Sequence, residues 1–520
     1  MVDGALTQGT LRSLRQARRR HYLREGDWVD SLYKAYVVGI LAALGLFYGS
    51  VALSADFDAA ALHDVERHGA ALLGLAVAVL VLLGLRSGAH GGPLAPESAD
   101  ITFLLLAPVA RTEVLRPLAV RQLRGVVLVP AVGGAVAGSI ASRPLGGDRI
   151  EWLLAGAAFG VLASLAVWGS ALVASSVRLR ARDANVVGAA VVVWAAIDVA
   201  AGYASSPTAQ LGRVALLPLT WSALAIVGVV LPLVLVGVGL ARVGHTSLEQ
   251  LRDRARLVGE LRFAATLQDM RSVIVLHREL AQELPRTTPW WHARGSRGGP
   301  AWQRDWRGLA RWPMSRVARA VAFGVVVALA GVGLWHGVDA LVLLAGLALF
   351  LLGVDAVEGL AQETDHPERS EQYPVVWGEL VLSHLLAPAV VLFGFAVAAA
   401  LAIGAVTGSV DALAVAAITV VPATLAGVAG AGLSVVMGAP PPTLYLDFGF
   451  PELTTLWLVL RQVLGPLLVI AAFVPLAVGD NAYGDASASA LGTTLTFAFV
   501  PLVLAVLAAV WMRSRTAVVR

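Results

Sequence analysis

Residues 242–319 read RVGHTSLEQLRDRARLVGELRFAATLQDMRSVIVLHRELAQELPRTTPWWHARGSRGGPAWQRDWRGLARWPMSRVAR, the longest part of the chain without a segment apolar enough to cross a membrane. About six long apolar segments precede this stretch and about six follow it, each near the 20 residues that a helix needs to cross hydrocarbon. The polar stretch therefore predicts a connector between two membrane halves.

The composition agrees with that reading, because 58% of residues are hydrophobic and only 14% are charged. The mean hydropathy is +0.75, whereas a soluble domain carries roughly 25% charged residues. A membrane barrel would show alternating segments of about 10 residues, which this sequence lacks. We therefore predict an all-α polytopic membrane protein with about twelve transmembrane helices, since helices satisfy their own backbone groups in lipid.

The apolar segments define two predicted halves of six spans each. The predicted spans are residues 33–54, 69–86, 124–142, 152–177, 184–203, 218–241, 317–335, 338–357, 380–405, 411–437, 457–478 and 489–512. The predicted domains are a cytoplasmic amphipathic N-tail (1–32), a first half (33–241), a connector (242–316), a second half (317–512) and a cytoplasmic tail (513–520).

Loop charge predicts the orientation. Arginines cluster in the N-tail, in 86–124, in 178–182, in the connector and at the C-terminus, whereas the opposite loops are poorer in arginine and often acidic. The positive-inside rule then places both termini in the cytoplasm. We expect the membrane to be a bacterial plasma membrane. The run 33–54 is long for the core of a cleaved signal peptide, so a retained first span is favoured.

The two halves share a layout. Each begins with a basic, Trp-containing segment and two spans, followed by a long cytoplasmic loop and four more spans. Parallel repeats of this kind commonly enclose a transport pathway. A chance match between unrelated loops is the alternative.

Tryptophan and arginine alternate near the membrane ends of the polar segments. This pattern suits a helix in the lipid headgroup layer, so we predict Trp28, Trp302, Trp306 and Arg311 as interfacial anchors. A disordered basic tail is the alternative for the N-tail. Nucleic acid also attracts such residues, but the adjacent span makes membrane lipid the expected partner.

Catalytic signatures are missing from the sequence. It has no cysteine, and its only lysine, Lys34, lies outside any P-loop sequence, so the chain is predicted not to hydrolyse ATP. The histidines have no metal-ligand spacing and no zinc-binding helix motif is present. We therefore predict neither a catalytic residue nor a metal site, and no cofactor bound to this chain.

Ionisable residues within spans are costly and often functional. Asp198 lies in an apolar run. It either lines a substrate or proton path or is solvated near the outer interface of the membrane. Asp355, Glu358, Glu379 and His384 flank the eighth and ninth spans, and we interpret them as cytoplasmic-rim residues; a transport site is the alternative.

Residues 100–123, DITFLLLAPVARTEVLRPLAVRQL, resemble the segment between the second and third spans of ABC-2-type exporter permeases. The resemblance rests on a leucine run, a small residue, a proline and then a basic residue, here Leu104 to Arg111. The family's six-span unit also has an interfacial N-terminal helix and both ends inside. Residues 304–313, RDWRGLARWP, are similar to the family's pre-membrane segment.

The resemblance implies a division of labour between subunits. ATP and Mg²⁺ would bind separate ABC ATPase subunits. The closure of these subunits would be transmitted to the membrane spans through the loop 100–123. Leu104, Leu105 and Pro108 would pack into that partner, and Arg111 and Arg116 would pair with its acidic rim. An ordinary re-entrant segment with positive-inside arginines is the alternative.

The second half offers a weaker counterpart to that loop. Tyr373, Pro374 and Trp377 keep a proline but lack the leucine run and the arginine. The predicted function is a permease that moves a lipophilic or amphipathic substrate outward. The alternatives are an ion-coupled secondary transporter, which would use Asp198 or Glu379, and a membrane scaffold that transports nothing.

Overall fold

The computed structural model describes residues 59–96, 101–105, 110–266, 285–291, 299–366, 375–438, 451–483 and 488–514. Within these ranges the chain forms helices and no β-strand. Ten helices are long and apolar enough to cross a membrane, or eleven if one bent pair is counted as a span. The prediction of a helical, multi-pass membrane protein is confirmed at this level.

The helices overlap the predicted spans but differ in their boundaries: the helix over the predicted span 69–86 begins at Ala59, and the helix over 124–142 begins at Arg111. The first helices are α1 (Ala59–Ala89), α2 (Arg111–Leu145), α3 (Arg149–Val177), α4 (Ala181–Ala201), α5 (Pro207–Ala215), α6 (Ala225–Arg242) and α7 (Leu248–Thr266). A π-helix, Ile101–Leu105, precedes α2, and a 3-10 turn, Val243–His245, joins α6 to α7.

The remaining helices follow in chain order. They are α8 (Pro300–Leu309), α9 (Met314–Trp335), α10 (Leu341–Ala356), α11 (Glu358–Asp365), α12 (Trp377–Thr407), α13 (Val410–Met437), α14 (Pro451–Ala471), α15 (Val474–Tyr483) and α16 (Ala488–Arg513). The predicted span 33–54 and the N-tail with Trp28 lie outside the described residues. Every other predicted span overlaps a helix, although 338–357 becomes α10, which meets α11 at a bend of 57°.

The chain divides into two compact units, residues 1–260 and 261–520. In unit 1, α3 is the central helix: 61% of its most apolar window is buried, against 17% for α2. Helices α1, α2, α5 and α6 pack on α3. Small residues allow the closest of these approaches, because a Cβ added to Gly134, Gly138, Gly156 or Gly160 would collide with a backbone carbonyl oxygen of the facing helix.

In unit 2, α13 takes the central position, with 67% of its window buried. Helices α10, α12, α14 and α16 pack on it. A Cβ on Gly430 of α13 would lie 2.6 Å from the carbonyl oxygen of Gly465 on α14, and the reverse distance is the same. Glycine at both positions therefore permits the backbones of α13 and α14 to touch.

Each unit has one end rich in arginine, which we call its arginine end. In unit 1 this end gathers the C-termini of α1, α3 and α6 with the N-termini of α2 and α4, and Arg178 Nε donates to the His245 carbonyl oxygen at 3.1 Å across it. In unit 2 it gathers α8, the start of α9, α11, the start of α12 and the end of α16. The described residues at the opposite end of unit 2 include Asp339 and Asp411 but neither arginine nor lysine.

Candidate functional site

The π-helix Ile101–Leu105 is seated on the arginine end of unit 1. Ile101 and Leu105 are 6% and 4% exposed, and they belong to the same buried cluster as Leu115 of α2 and Leu251 of α7. Phe103, between them, is 75% exposed. One side of this turn is therefore anchored in the unit, and the other side presents an aromatic ring to the surroundings.

Helix α2 continues the exposed surface beyond the π-helix. Arg111, Arg116 and Arg124 are exposed on it. An open hollow of about 430 Å³ lies along this part of the helix, lined by Arg116, Pro117, Val120, Arg121 and Arg124. The surface that follows the predicted coupling loop is thus basic, with apolar side chains between the guanidinium groups.

Helix α7 closes the same end of unit 1. It begins at Leu248, directly after Ser247. Leu251 is fully buried and Ala255 is 8% exposed, so this stripe packs on the buried cluster beneath the π-helix. Burial also lowers the pKa of the Arg254 guanidinium, which points to a desolvated position next to this stripe.

The exposed and buried side chains of the loop differ from those that the sequence suggests for contact with a partner. Leu105 is buried within its own unit, and among the described side chains of the turn the exposed apolar one is Phe103. The side chain of Leu104 and the whole of Pro108 lie outside the described residues, as do Tyr373 and Pro374. Trp377 is the first residue of α12 and is half-buried. The coupling role of these residues stays a prediction.

Asp198 lies three residues before the end of α4, at the end of unit 1 opposite its arginine end. One carboxylate oxygen accepts from the Ser205 hydroxyl at 2.6 Å, and the other accepts from the Ser205 and Ser206 backbone N–H groups at 3.0 and 2.6 Å. The side chain is 2% exposed. These bonds hold the turn that leads into α5, and the predicted pathway role is untested.

The arginine end of unit 2 contains a charged junction between helices that are far apart in sequence. His384 of α12 donates from Nδ1 to both carboxylate oxygens of Asp305 on α8, at 2.9 and 3.0 Å. The two side chains are 2% and 5% exposed. A Cβ on Gly359 of α11 would collide with the same carboxylate, so glycine lets α11 pass directly over the pair.

Three arginine–carboxylate pairs surround this histidine–aspartate pair. Arg304 of α8 pairs with Glu363 of α11, and Arg316 of α9 pairs with Glu358 of α11. Arg319 of α9 binds Asp355 of α10 through two nitrogens, at 2.7 and 3.1 Å. The bend between α10 and α11 brings all these carboxylates to the arginines, so the junction joins five helices.

Glu379 does not belong to the charged junction. It forms an ion pair with Arg513 at 3.7 Å, and the side chains of Glu379 and Arg513 are 55% and 65% exposed. A solvent-exposed pair of this kind contributes little to stability. In the junction Asp355 and Glu358 lie on either side of the break between α10 and α11, and His384 lies seven residues after the start of α12. Their interpretation as cytoplasmic-rim residues stays a prediction.

Sequence reasoning missed the basic partners of the junction and also Asp305. Their separations along the chain, 36 to 79 residues, leave no local pattern that pairs them. The sequence feature that could have indicated the junction is the run 304–319, in which five arginines and one aspartate precede or begin a span.

Among the described residues of unit 2, Leu349, Thr419 and Phe473 help to line a small apolar space of about 20 Å³. This volume is close to that of a single water molecule. Among the described residues no group of histidine and acidic side chains is placed to hold a metal ion. No protein-family model matches the chain, and no curated protein matches it.

Proposed function

We propose that the chain is the membrane-spanning subunit of an ATP-driven exporter, in which separate ATPase subunits dock at the arginine ends of two repeated halves. The observation that carries the proposal is the way the π-helix packs on unit 1, with one side buried and the other exposed. Its buried side, Ile101 and Leu105, is fixed in the core of unit 1, while Phe103, Arg111 and Arg116 face outward. A partner that pushes on this exposed side acts directly on α2 and, through Leu115, on the packed core.

The helix packing of the two units supports a repeat. The pairs α1–α3, α2–α3, α3–α6, α1–α4, α3–α5 and α5–α6 pack in unit 1. In unit 2 the corresponding pairs α10–α13, α12–α13, α13–α16, α10–α14, α13–α15 and α15–α16 pack as well. Repeats that share a packing plan can form the two sides of an alternating-access pathway.

The charge distribution supports an orientation with the arginine ends in the cytoplasm, where the positive-inside rule places basic loops. In that orientation the π-helix and the charged junction both face the compartment that holds ATP. The cargo class follows from the resemblance alone: a lipophilic or amphipathic molecule moved outward across a bacterial plasma membrane.

The position of the ionisable residues favours this proposal over an ion-coupled transporter. In the ten candidate spans of the described chain, the middle third of each holds no aspartate, glutamate or histidine. Asp198 is occupied by three hydrogen bonds near a helix end, and Glu379 is exposed. Energy supplied by a partner subunit needs no proton carrier within the spans.

The test is co-purification of an ATPase from native membranes with the tagged full-length chain. Phe103→Asp and the pair Arg111→Gln, Arg116→Gln should each reduce the recovered ATP hydrolysis at least five-fold. Phe103 is the better target than Leu105, because a charge at a buried position would disrupt folding.

The matched control is the pair Arg180→Gln, Arg182→Gln, which removes two exposed arginines from the same end of unit 1 and should leave recovery unchanged. The proposal fails if no ATPase accompanies the folded wild-type chain. It also fails if the control pair and the Phe103 variant lower recovery equally.

A further inference from the structure

Four tryptophans of unit 2, Trp290, Trp291, Trp302 and Trp306, lie close together, and we call them the tryptophan platform. The ring centroids of Trp302 and Trp306 are 5.5 Å apart, and those of Trp291 and Trp306 are 6.3 Å apart, both edge-on. Trp290 and Trp291 are 44% and 45% exposed. Large exposed rings gathered in this way mark a surface that binds something amphipathic.

The platform is held rigidly by the end of α8. The Arg286 and Trp290 backbone N–H groups donate to the Arg311 and Ala310 carbonyl oxygens at 2.9 and 2.8 Å, and the Trp290 indole N–H donates to the Trp312 carbonyl oxygen at 2.8 Å. These oxygens lie just beyond the last turn of α8, where helical partners run out. The segment 285–291 thus caps α8 and fixes two of the four rings.

Positive charge borders the platform. The Arg286 guanidinium stacks 3.8 Å above the Trp290 ring, and Arg307 and Arg311 are exposed. On α8, at 100° per residue, Arg307 lies opposite the buried stripe of Ala301, Asp305 and Leu309. The arginine is therefore directed away from the core.

The carboxylates of the charged junction do not neutralise this border. Asp305 is bound by His384, Glu363 by Arg304 and Glu358 by Arg316. Among the described residues no ion pair involves Arg307 or Arg311. The junction therefore pairs these three carboxylates with other residues, and Arg307 and Arg311 present exposed positive charge beside the aromatic rings.

The next helix places this surface at the level of the headgroups. The candidate span α9 begins at Met314, three residues after Arg311, and Met314 is itself 62% exposed. Tryptophan concentrates at the membrane–water interface, and arginine beside an anionic leaflet is attracted to it. Charge and position thus favour one occupant, the phosphodiester headgroup of an anionic phospholipid.

We propose that the tryptophan platform, together with Arg286, Arg307 and Arg311, binds anionic phospholipid headgroups and selects them over zwitterionic ones. The arginines bind the phosphodiester, and the rings of Trp290 and Trp291 lie among the glycerol and upper acyl groups. The bound lipids hold α8 in the headgroup layer, and through Asp305 and Arg304 they stabilise the charged junction. This inference is independent of the transport function proposed above.

The test titrates the full-length chain, in a neutral detergent, with phosphatidylglycerol or phosphatidylcholine and follows thermal stabilisation. Native mass spectrometry counts the lipids that remain bound. The wild type should respond to phosphatidylglycerol at a lower mole fraction than to phosphatidylcholine. Because each arginine near an anionic surface contributes about a five-fold effect, Arg307→Gln with Arg311→Gln should raise the phosphatidylglycerol midpoint about 25-fold.

Two further variants separate the platform from general charge attraction. Trp291→Ala should weaken binding of both lipids several-fold, because it removes apolar contact and leaves the charge unchanged. The pair Arg180→Gln, Arg182→Gln removes the same charge from the arginine end of unit 1, whose described residues include no tryptophan, and should shift the midpoint less than about two-fold. Helicity and the melting temperature without lipid should stay at the wild-type values, since Arg307 and Arg311 are exposed.

Three results would overturn the proposal. The first is equal stabilisation by phosphatidylglycerol and phosphatidylcholine, and the second is an equal loss in the two arginine-pair variants. The third is equivalent protection by soluble glycerol phosphate, which would identify a free phosphate compound as the ligand.

Discussion

Removing one partner of the Asp305–His384 pair should destabilise unit 2 far more than removing a partner of an exposed pair. In Asp305→Ala the imidazole of His384, which is 2% exposed, loses both of its acceptors. Breaking a buried, hydrogen-bonded pair in this way costs about 3 kcal/mol in the free energy of unfolding. At about 2–4 °C per kcal/mol for a unit of this size, the melting temperature should fall by about 6–12 °C.

The matched control is Glu379→Gln, which removes the carboxylate of the 3.7 Å pair with Arg513. Both members of that pair are more than half exposed, so the expected cost is about 0–1 kcal/mol. Thermal unfolding of the purified full-length chain in one detergent, followed by circular dichroism, compares the two variants directly.

A double-mutant cycle makes the reasoning refutable. Asp305→Ala with His384→Ala should cost clearly less than the sum of the two single variants, because the second substitution removes a side chain that has already lost its partner. Additive costs would show that the two residues do not act as a pair. A fall of less than about 2 °C for Asp305→Ala would show that α8 is not held by this contact.

Three other predictions concern substitutions at single positions. Gly465→Val should lower the melting temperature and the yield of folded protein, because the added Cβ would lie 2.6 Å from the Gly430 carbonyl oxygen and overpacking costs about 1–3 kcal/mol. Asp198→Asn should destabilise unit 1 by about 1–3 kcal/mol, because an amide NH₂ replaces one of the oxygens that accept from Ser205 and Ser206; complete loss of transport by a variant that folds normally would instead favour the pathway role. Because the chain has no cysteine, single cysteines report orientation: Asp339→Cys should react with an impermeant maleimide in intact cells, and Arg180→Cys should react only after lysis.

The spans were predictable because lipid imposes a length and a composition on any helix that crosses it. The stretches that became α3, α12 and α13 are apolar over 20 residues or more, and no tertiary contact is needed to recognise them. Boundaries shifted where local chemistry interrupts an apolar run. The predicted span 218–241 begins as helix only at Ala225, after turns that contain Pro218.

The roles within the coupling segment were less accessible to sequence reasoning. A leucine-rich run predicts an apolar surface but does not say which leucine is buried and which neighbour is exposed. The π-helix turns Leu105 into the core of unit 1 and leaves Phe103 outside. Which side chain is buried depends on Leu115 of α2 and Leu251 of α7, which belong to the same buried cluster as Leu105.

The sequence by itself determined the class of protein, the apolar segments that form its long helices and the ends at which arginine collects, since each depends on composition over a local window. The tertiary structure decided which helix is central in each unit and which charges are neutralised. Pairing across 36 to 79 residues requires the bend between α10 and α11 and the docking of α8, neither of which leaves a local pattern. The physical reason is that transfer into lipid is a property of each segment, whereas an ion pair exists only where two segments meet.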